Sequence, residues 1–104
     1  MVVRFAPGLD EHNRARAGRP FAIPLSISRQ EGAPAAPLRS VTMQASYDRG
    51  HTWRAAQVWR MGDHAVALVH HPDGEGLVSL RATAVDEGGN SVEQTIRDAY
   101  RLRE

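Results

Sequence analysis

The chain has 104 residues and no cysteine, and its 13 basic residues against 12 acidic ones leave a net charge of +1. This length indicates a single domain, and the lack of cysteine excludes disulfides and thiolate metal sites. The near-neutral charge provides no basic field for nucleic acid, and no apolar run approaches the roughly 18 residues that a membrane span needs. We therefore expect neither a nucleic-acid partner nor a membrane partner.

Residues 1–18 precede the first strongly patterned segment. Val2–Phe5 is a short candidate strand, but a proline-glycine pair follows it, and the next stretch, DEHNRARAG, has no apolar face. We expect residues 1–18 to be a flexible leading segment or linker. The patterned domain then covers residues 19–104.

The first long segment of that domain alternates strictly between apolar residues and small or polar ones. Its apolar phase is Phe21, Ile23, Leu25 and Ile27. This period of two indicates a strand with one buried face. Pro24 lies within the segment and cannot donate a ladder hydrogen bond, so we expect an edge strand or a bulge there. Residues 30–40 contain three helix and strand breakers and predict a loop.

Five later segments also predict strands. Their apolar phases are Val41, Met43, Ala45 and Tyr47; Trp53 and Trp59; Val66, Leu68 and His70; Val78, Leu80, Ala82 and Ala84; and Val92, Ile96 and Tyr100. Turns rich in glycine, proline, aspartate and asparagine separate these segments, and none shows a sustained helical period. With Val2–Phe5 the total is about seven short strands, which predicts an all-β, antiparallel sandwich of the immunoglobulin or fibronectin type III kind.

The stretch SYDRGHTW, residues 46–53, has the most specific pattern in the chain. Asp48 can accept hydrogen bonds from the backbone N–H groups that follow it, and Gly50 can adopt the positive φ that a tight hairpin often needs. Thr52 then returns to extended backbone, and we expect Trp53 to pack its indole on the core. The prediction is a device that turns one strand into the next, without reactivity.

The same residues, Ser46, Asp48, Gly50, Thr52 and Trp53, form the pattern Ser-x-Asp-x-Gly-x-Thr-Trp. This pattern resembles the Asp-box hairpin of sialidases and other β-propeller proteins. In that family the box is a folding motif remote from the active site, and it occurs in several copies. A single copy in 104 residues is too little for a propeller. The resemblance therefore implies one structural Asp-box within a β-sandwich.

A wider resemblance covers the chain from Phe21 to Leu102. The strings PLSISR, SYDRGHTWRAAQVWR and HPDGEGLVSLRATAVDEGGNSVEQTIRDAYRL occur in this order. They are similar to a region of large secreted actinobacterial subtilisin-like serine peptidases, where it forms an immunoglobulin- or fibronectin-like accessory domain downstream of the catalytic domain. The resemblance implies an extracellular module whose partner is the neighbouring catalytic domain of the same parent chain. The peptidase motifs themselves are missing, so no catalytic residue is carried over.

Three groups of polar residues invite a metal hypothesis. His70 and His71 lie beside Asp73, but adjacent strand residues point to opposite faces, so we expect no shared ion. The turns at residues 73–76 and 86–90 could offer oxygen ligands to calcium, but both are short and fit β-turns better. We predict no metal and no cofactor.

Trp59 and Tyr47 are the candidate residues for a binding face. Because Val58 neighbours Trp59 on the opposite face of its strand, one of this pair should be exposed. No serine lies in a nucleophile elbow, so we expect no enzymatic activity in this domain. The favoured function is a monomeric accessory module that spaces, stabilises or docks protein substrate through a sheet face or an edge strand. The alternative is a carbohydrate-binding module of a secreted glycan-handling protein that takes a polysaccharide.

Overall fold

The computed structural model describes residues 1–28 and 36–104. These residues form nine strands: β1 (Val2–Phe5), β2 (Arg14–Arg16), β3 (Pro20–Ser28), β4 (Leu38–Ser46), β5 (Arg54–Ala55), β6 (Gln57–Met61), β7 (His64–His70), β8 (Gly76–Asp86) and β9 (Ser91–Arg103). Most of the predicted loop over residues 30–40 lies outside the described residues, and β4 begins at Leu38. Within the described ranges, no helix is long and apolar enough to span a bilayer.

The strands form two packed sheets. The four-stranded sheet has the order β1-β3-β7-β6, and the five-stranded sheet has the order β2-β9-β8-β4-β5. The pairs are antiparallel except for β2 with β9, which run parallel. Chain order and sheet order together correspond to the immunoglobulin arrangement of strands A-B-E-D against G-F-C. The prediction of an all-β sandwich is confirmed.

The core lies between the sheets and contains most of the predicted apolar phases. Its buried members on the long strands are Ile23, Leu25 and Ile27 of β3, Val41, Met43 and Ala45 of β4, and Val78, Leu80, Ala82 and Ala84 of β8. Full burial of a valine, leucine or isoleucine side chain stabilises a fold by about 1.5–3 kcal/mol. This layer is therefore the main source of the free energy that offsets chain entropy.

Strand β7 has the opposite phase from the predicted one. Its buried residues are Ala65, Ala67 and Val69, while Val66, Leu68 and His70 face outward. The prediction that Val66 and Leu68 mark the buried phase is therefore wrong. The segment is apolar in both phases, so its periodicity does not define an inner face. Small alanines inside let this strand pack closely against the facing sheet, and the larger residues are left outside.

The predicted third strand is two strands in different sheets. Arg54–Ala55 pairs with β4, whereas Gln57–Met61 pairs with β7. Ala56 makes the crossing, and its N–H donates to the Met43 carbonyl at 2.9 Å. The chain therefore closes one side of the sandwich at this point.

The leading segment belongs to both sheets. Within residues 1–18, β1 pairs with β3 and β2 pairs with β9, and Val3 and Ala15 are 0% and 4% exposed. This differs from the predicted flexible segment, and the structure draws no boundary at residue 18. Each of these two strands contributes one fully buried side chain, which is too little for a periodicity to show in the sequence.

Strand β3 is internal, which corrects the expectation of an edge strand at Pro24. It lies between β1 and β7. The Pro24 carbonyl accepts the Ala6 N–H at 2.9 Å, just beyond the last residue of β1. Because a residue in an antiparallel strand directs its N–H and C=O to the same neighbour, the N–H that proline lacks would have pointed to this frayed end. The ladder with β7 therefore loses nothing.

Candidate functional site

Residues 46–53, here called the Asp48 loop, connect β4 to β5 in a compact hydrogen-bonded turn. The buried Ser46 hydroxyl donates to Asp48 Oδ1 at 2.8 Å and accepts the Gly50 N–H at 2.7 Å. Asp48 in turn accepts the Thr52 N–H at 2.8 Å and the Thr52 hydroxyl at 2.6 Å. Gly50 has a φ of 90°, a conformation that residues with a side chain rarely adopt.

These contacts govern the chemistry of Asp48. The hydroxyl and N–H of Thr52 and the hydroxyl of Ser46 all donate to the carboxylate, and they hold the pKa of Asp48 well below its usual range. A carboxylate that stays ionised and engaged with donors is a weak base and has no proton to give. The contacts of Asp48 therefore close the turn.

Two other turns use an aspartate in the same way. In the hairpin between β8 and β9, Asp86 Oδ1 accepts the Asn90 N–H at 2.9 Å, and Oδ2 accepts the Asn90 amide at 3.1 Å. In the turn before β2, Asp10 Oδ1 accepts the Arg14 N–H at 2.9 Å. The Gly89 N–H also donates to the Asp86 carbonyl at 3.3 Å, so residues 86–90 form a turn of the kind that the sequence predicts. Across the described ranges, no three His, Asp or Glu side chains converge in a way that could hold a metal ion.

The two adjacent histidines have different surroundings. His71 is 5% exposed, whereas His70 is exposed at the end of β7. One ring nitrogen of His71, Nδ1, lies 3.1 Å from the Arg16 carbonyl, and the other, Nε2, lies 2.8 Å from the Tyr100 hydroxyl. Since a carbonyl only accepts, we assign the proton to Nδ1, and Nε2 accepts the Tyr100 O–H. Both nitrogens are therefore engaged within the fold.

His71 also belongs to an aromatic cluster, here called the His71 cluster, formed by Phe21, Tyr47, His71 and Tyr100. The ring of Phe21 lies 4.9 Å from that of His71, and the ring of Tyr47 lies 6.0 Å from it. Burial lowers the pKa of His71, although the Arg16 carbonyl partly opposes this, and burial raises the pKa of Tyr100 far above its ordinary value. The cluster is thus neutral in both members of its hydrogen-bonded pair near pH 7.

The two tryptophans lie on opposite sides of the sandwich: Trp59 is on β6, and Trp53, the last residue of the Asp48 loop, lies against Arg81 on the outer face of the five-stranded sheet. Trp53 is half-buried, and the Arg81 guanidinium lies over its ring, 4.2 Å from the centroid. Arg81 follows the buried Leu80 on β8 and so faces outward. This corrects the expectation that Trp53 packs on the core, since stacking on the guanidinium shields the indole instead. Trp59, on β6, is 54% exposed.

Trp59 lies within an apolar outer surface of the four-stranded sheet. This surface, here called the Trp59 face, consists of Pro24, Trp59, Met61, Val66 and Leu68. The register places Pro24, Val66 and Trp59 in one row across β3, β7 and β6, and Met61 is 67% exposed. Sequence reasoning identified Trp59 but missed Met61, Val66 and Leu68. The available signal was the β7 run that is apolar in both phases.

The edges of the same sheet are protected. On β1, the outward N–H of Val3 donates to Gln94 Oε1 at 3.2 Å, so a side chain from the other sheet covers that edge. On β6, Arg60 lies opposite the buried Ala65 and is itself exposed. A charged residue on the inner side of an edge strand opposes pairing with another chain. Docking through these edges is therefore disfavoured, and the face is left as the larger open surface.

Tyr47, the second predicted binding residue, does not belong to the Trp59 face. It lines a cleft of about 300 Å³, here called the Tyr47 cleft, that opens beside β7 where β6 begins. This cleft is also lined by Arg54, Gln57, Leu68, Val69 and His70. The Tyr47 hydroxyl donates to the His70 carbonyl at 3.4 Å, and the Arg54 guanidinium lies 5.7 Å from the Tyr47 ring centroid. Burial raises the pKa of Tyr47, and the positive charge of Arg54 opposes that rise.

No family model matches this sequence, and a search of curated proteins finds no match either. Function therefore has to be inferred from the Trp59 face, from the Tyr47 cleft and from the resemblance to peptidase accessory domains.

Proposed function

We propose that this chain is a non-catalytic β-sandwich module of a secreted, multidomain, subtilisin-like serine peptidase. In the parent protein it spaces and stabilises the neighbouring catalytic domain, and it docks protein substrate. The observation that carries the docking role is the Trp59 face. The resemblance over Phe21 to Leu102 supports the choice of parent.

The composition of the Trp59 face suits protein docking. Single exposed apolar residues are ordinary on protein surfaces, but a contiguous group rimmed by polar residues is typical of an interaction site. Trp59 and Met61 are 54% and 67% exposed, and half-buried Val66 and Leu68 extend the surface between them and β3. Tryptophan and methionine are enriched at interface centres, and tryptophan is the commonest energetic hot spot. An extended, partly unfolded polypeptide offers the apolar side chains that such a face would bury.

The polar groups that resemble catalytic residues support a non-catalytic role. Asp48 holds its turn through Thr52 and Ser46, and His71 is buried between the Arg16 carbonyl and Tyr100. A general base must reach a substrate proton, and a nucleophile needs such a base beside it. His71 is buried with both ring nitrogens engaged. Asp48 is exposed and lines a cleft, but its carboxylate already accepts hydrogen bonds from Thr52 and Ser46.

Carbohydrate binding is the second candidate, and one observation favours it. Trp59 lies on the open face of a sheet, where an indole could stack on the apolar side of a sugar ring. The same face would then take a polysaccharide chain instead of a polypeptide. The two functions use the same residues, so they differ only in the ligand.

Titration of the isolated chain with unfolded casein and, separately, with a soluble polysaccharide such as xylan tests the proposal. We expect casein to bind, and we expect Trp59→Ala to weaken that binding at least tenfold, which corresponds to about 1.4 kcal/mol. Trp53→Ala is the matched control, because it removes the same type of side chain from the Asp48 loop, outside the Trp59 face. We expect it to leave the casein affinity unchanged.

The other outcomes are equally informative. Binding of xylan but not casein, with the same dependence on Trp59, would establish the carbohydrate-binding alternative. Casein binding that responds to Trp53→Ala and not to Trp59→Ala would remove the Trp59 face as the docking surface. No binding of either polymer at millimolar residue concentration would overturn the docking role.

A further inference from the structure

We infer that the Tyr47 cleft binds a short extended peptide segment and recognises an acidic side chain within it. The inference rests on the proposed function for the class of partner, since it assumes that the module meets polypeptide. It adds a second site with a stated chemical preference, and this site borders the Trp59 face at Leu68.

Strand β7 has an open edge beyond Leu68. β6 begins only at Gln57, which pairs with Leu68, whereas the antiparallel β7 continues past that pair to His70. Within the described residues, the last two residues of β7 have β3 on one side and no strand on the other. The cleft lies at this place, so an added segment could continue the sheet beyond the start of β6.

The second step concerns the backbone groups of His70. Its carbonyl faces the cleft, because the Tyr47 hydroxyl reaches it from there at 3.4 Å. In an antiparallel strand the N–H of a residue points to the same side as its C=O, so the His70 N–H faces the cleft as well. A peptide residue placed opposite His70 can therefore exchange two hydrogen bonds with it. Among the described residues, only the Tyr47 hydroxyl donates to the His70 carbonyl, and the peptide would displace this long bond.

The third step is the charge of the cleft. Arg54 is exposed and contributes a guanidinium, and no aspartate or glutamate lines the cleft. In the described part of the chain, no carboxylate pairs with Arg54, and its guanidinium lies near the Tyr47 ring. The nearest acid along the chain, Asp48, lines a neighbouring cleft with Tyr47 and Arg54, where Thr52 and Ser46 donate to its carboxylate. A carboxylate is the group that a lone guanidinium beside an aromatic wall binds best.

The Tyr47 cleft has the size of a single side-chain site. About 300 Å³ is at the lower end of the range for small-ligand sites, so the cleft suits one side chain and its flanking backbone and not a folded domain. The ring of Tyr47 provides an apolar wall, and the Gln57 amide is available to the peptide backbone. The expected occupant is thus a glutamate or aspartate within an extended polypeptide.

Three end-blocked pentapeptides test this inference: Val-Thr-Glu-Val-Thr and its versions with glutamine or lysine at the centre. The measurements are the backbone amide shift of His70, the side-chain Nε–H shift of Arg54, and the affinity. We expect the glutamate peptide to move both signals and to leave the indole N–H of Trp59 unchanged. We expect the glutamine peptide to bind about tenfold more weakly and the lysine peptide more weakly still.

Variants of Arg54 separate charge recognition from general loss of the site. Arg54→Gln should reduce the affinity for the glutamate peptide to that for the glutamine peptide, while the glutamine peptide itself is unaffected. Arg54→Lys should retain part of the preference, because the charge remains without the planar fork. Four outcomes would each overturn the inference. Arg54→Gln could weaken the glutamate and glutamine peptides equally, or the unmodified chain could bind both with equal affinity. The shifts could also be confined to the Trp59 face, or be absent at millimolar peptide.

Failure of this inference can be distinguished from failure of the proposed function. If casein binds through Trp59 while the glutamate peptide leaves His70 unchanged, the Tyr47 cleft loses its assignment and the docking module stands. If the glutamate peptide binds at Arg54 and casein binding does not depend on Trp59, the cleft is the peptide site and the Trp59 face loses its role.

Discussion

Two regions of this molecule use their side chains in opposite ways. At one end of the sandwich, the Asp48 loop and the His71 cluster meet at Tyr47, and their polar atoms are bound to one another over short distances. On the outer surface of the four-stranded sheet, the Trp59 face presents large apolar groups to solvent. Asp48 and His71, whose side chains are of the types found in catalytic sites, therefore hold the fold together. The Trp59 face, whose side chains are of the types that usually fill a core, is exposed to solvent.

If the His71 cluster is structural, Tyr100→Ala should cause the largest loss of stability among the variants considered. Tyr100 is 1% exposed and is among the largest fully buried side chains. Truncation of a buried aromatic residue to alanine costs about 3–5 kcal/mol, much of the stability of a typical domain. Urea unfolding followed by tryptophan fluorescence measures this cost.

The milder variant Tyr100→Phe sharpens the same test. It keeps the ring and removes only the hydroxyl that donates to His71 Nε2, which leaves a buried acceptor unpaired at about 1–3 kcal/mol. If the Tyr100→Phe chain were as stable as the unmodified chain, the hydrogen-bonded pair would contribute little to stability. That result would weaken the contrast between the two regions.

The Asp48 loop should show the next largest effect, through Ser46→Ala. Ser46 is 0% exposed, and its hydroxyl serves both the Gly50 N–H and Asp48. Removal leaves the partly buried Gly50 N–H without its acceptor and Asp48 without a donor, so we expect a loss of about 1–3 kcal/mol in the free energy of unfolding. Ser40→Ala, on the exposed side of the same strand, is the matched control and should change stability by less than about 0.5 kcal/mol.

Much of the fold follows from alternation, and the exceptions have physical causes. Strands β3, β4 and β8 were predictable because each has a clear apolar phase that is buried, although the opposite phase is also buried at Ser46 of β4 and Ser79 of β8. Strand β7 was assigned the wrong face because its run is apolar in both phases. The crossing at Ala56 was missed because it needs only one residue and leaves no break in composition.

The candidate site was predictable to a smaller extent. Val58 takes the opposite face of the strand from Trp59, which predicts that one of the two is exposed, and Trp59 is 54% exposed. Its partners Val66 and Leu68 could not be placed without the phase of β7. The position of Trp53 depends on Arg81, which is 28 positions away in the sequence, and local pattern carries no signal for a contact of that range.

A smaller effect than the substitutions above is expected from pH, through His71. Burial lowers the pKa of His71 in the folded state, so the unfolded chain binds a proton more readily just below its ordinary pKa of about 6.5. Stability should therefore fall as pH falls from about 7 towards the folded pKa and level off below it. Tyr100, Tyr47, Phe21 and the Arg16 carbonyl surround the ring, and none of them is an acid that would stabilise the protonated form near pH 6.

Unfolding free energies between pH 7.5 and 5 measure this dependence. His71→Gln should flatten it, because the amide can donate to Arg16 and accept from Tyr100 without titrating in this range. His70→Gln, at the exposed neighbour, should leave the slope as it is. A slope that disappears with His70→Gln instead would assign the titration to the surface and remove the pH argument for the cluster.

The smallest effect on stability is expected at Trp59. If the Trp59 face serves a partner and not the fold, removal of this side chain should leave the fold nearly as stable. Because 54% of the side chain is already in water, Trp59→Ala should change the free energy of unfolding by no more than about 0.5 kcal/mol. Trp53→Ala should cost more, since it removes a ring that is half-buried under Arg81, a contact of about 0.5–1 kcal/mol at an exposed site. Urea titrations of both variants, with far-ultraviolet circular dichroism as the probe, give the two values side by side. If Trp59→Ala destabilised the domain as much as Ser46→Ala does, this tryptophan would be serving the fold, and its use for a partner would lose its main physical support.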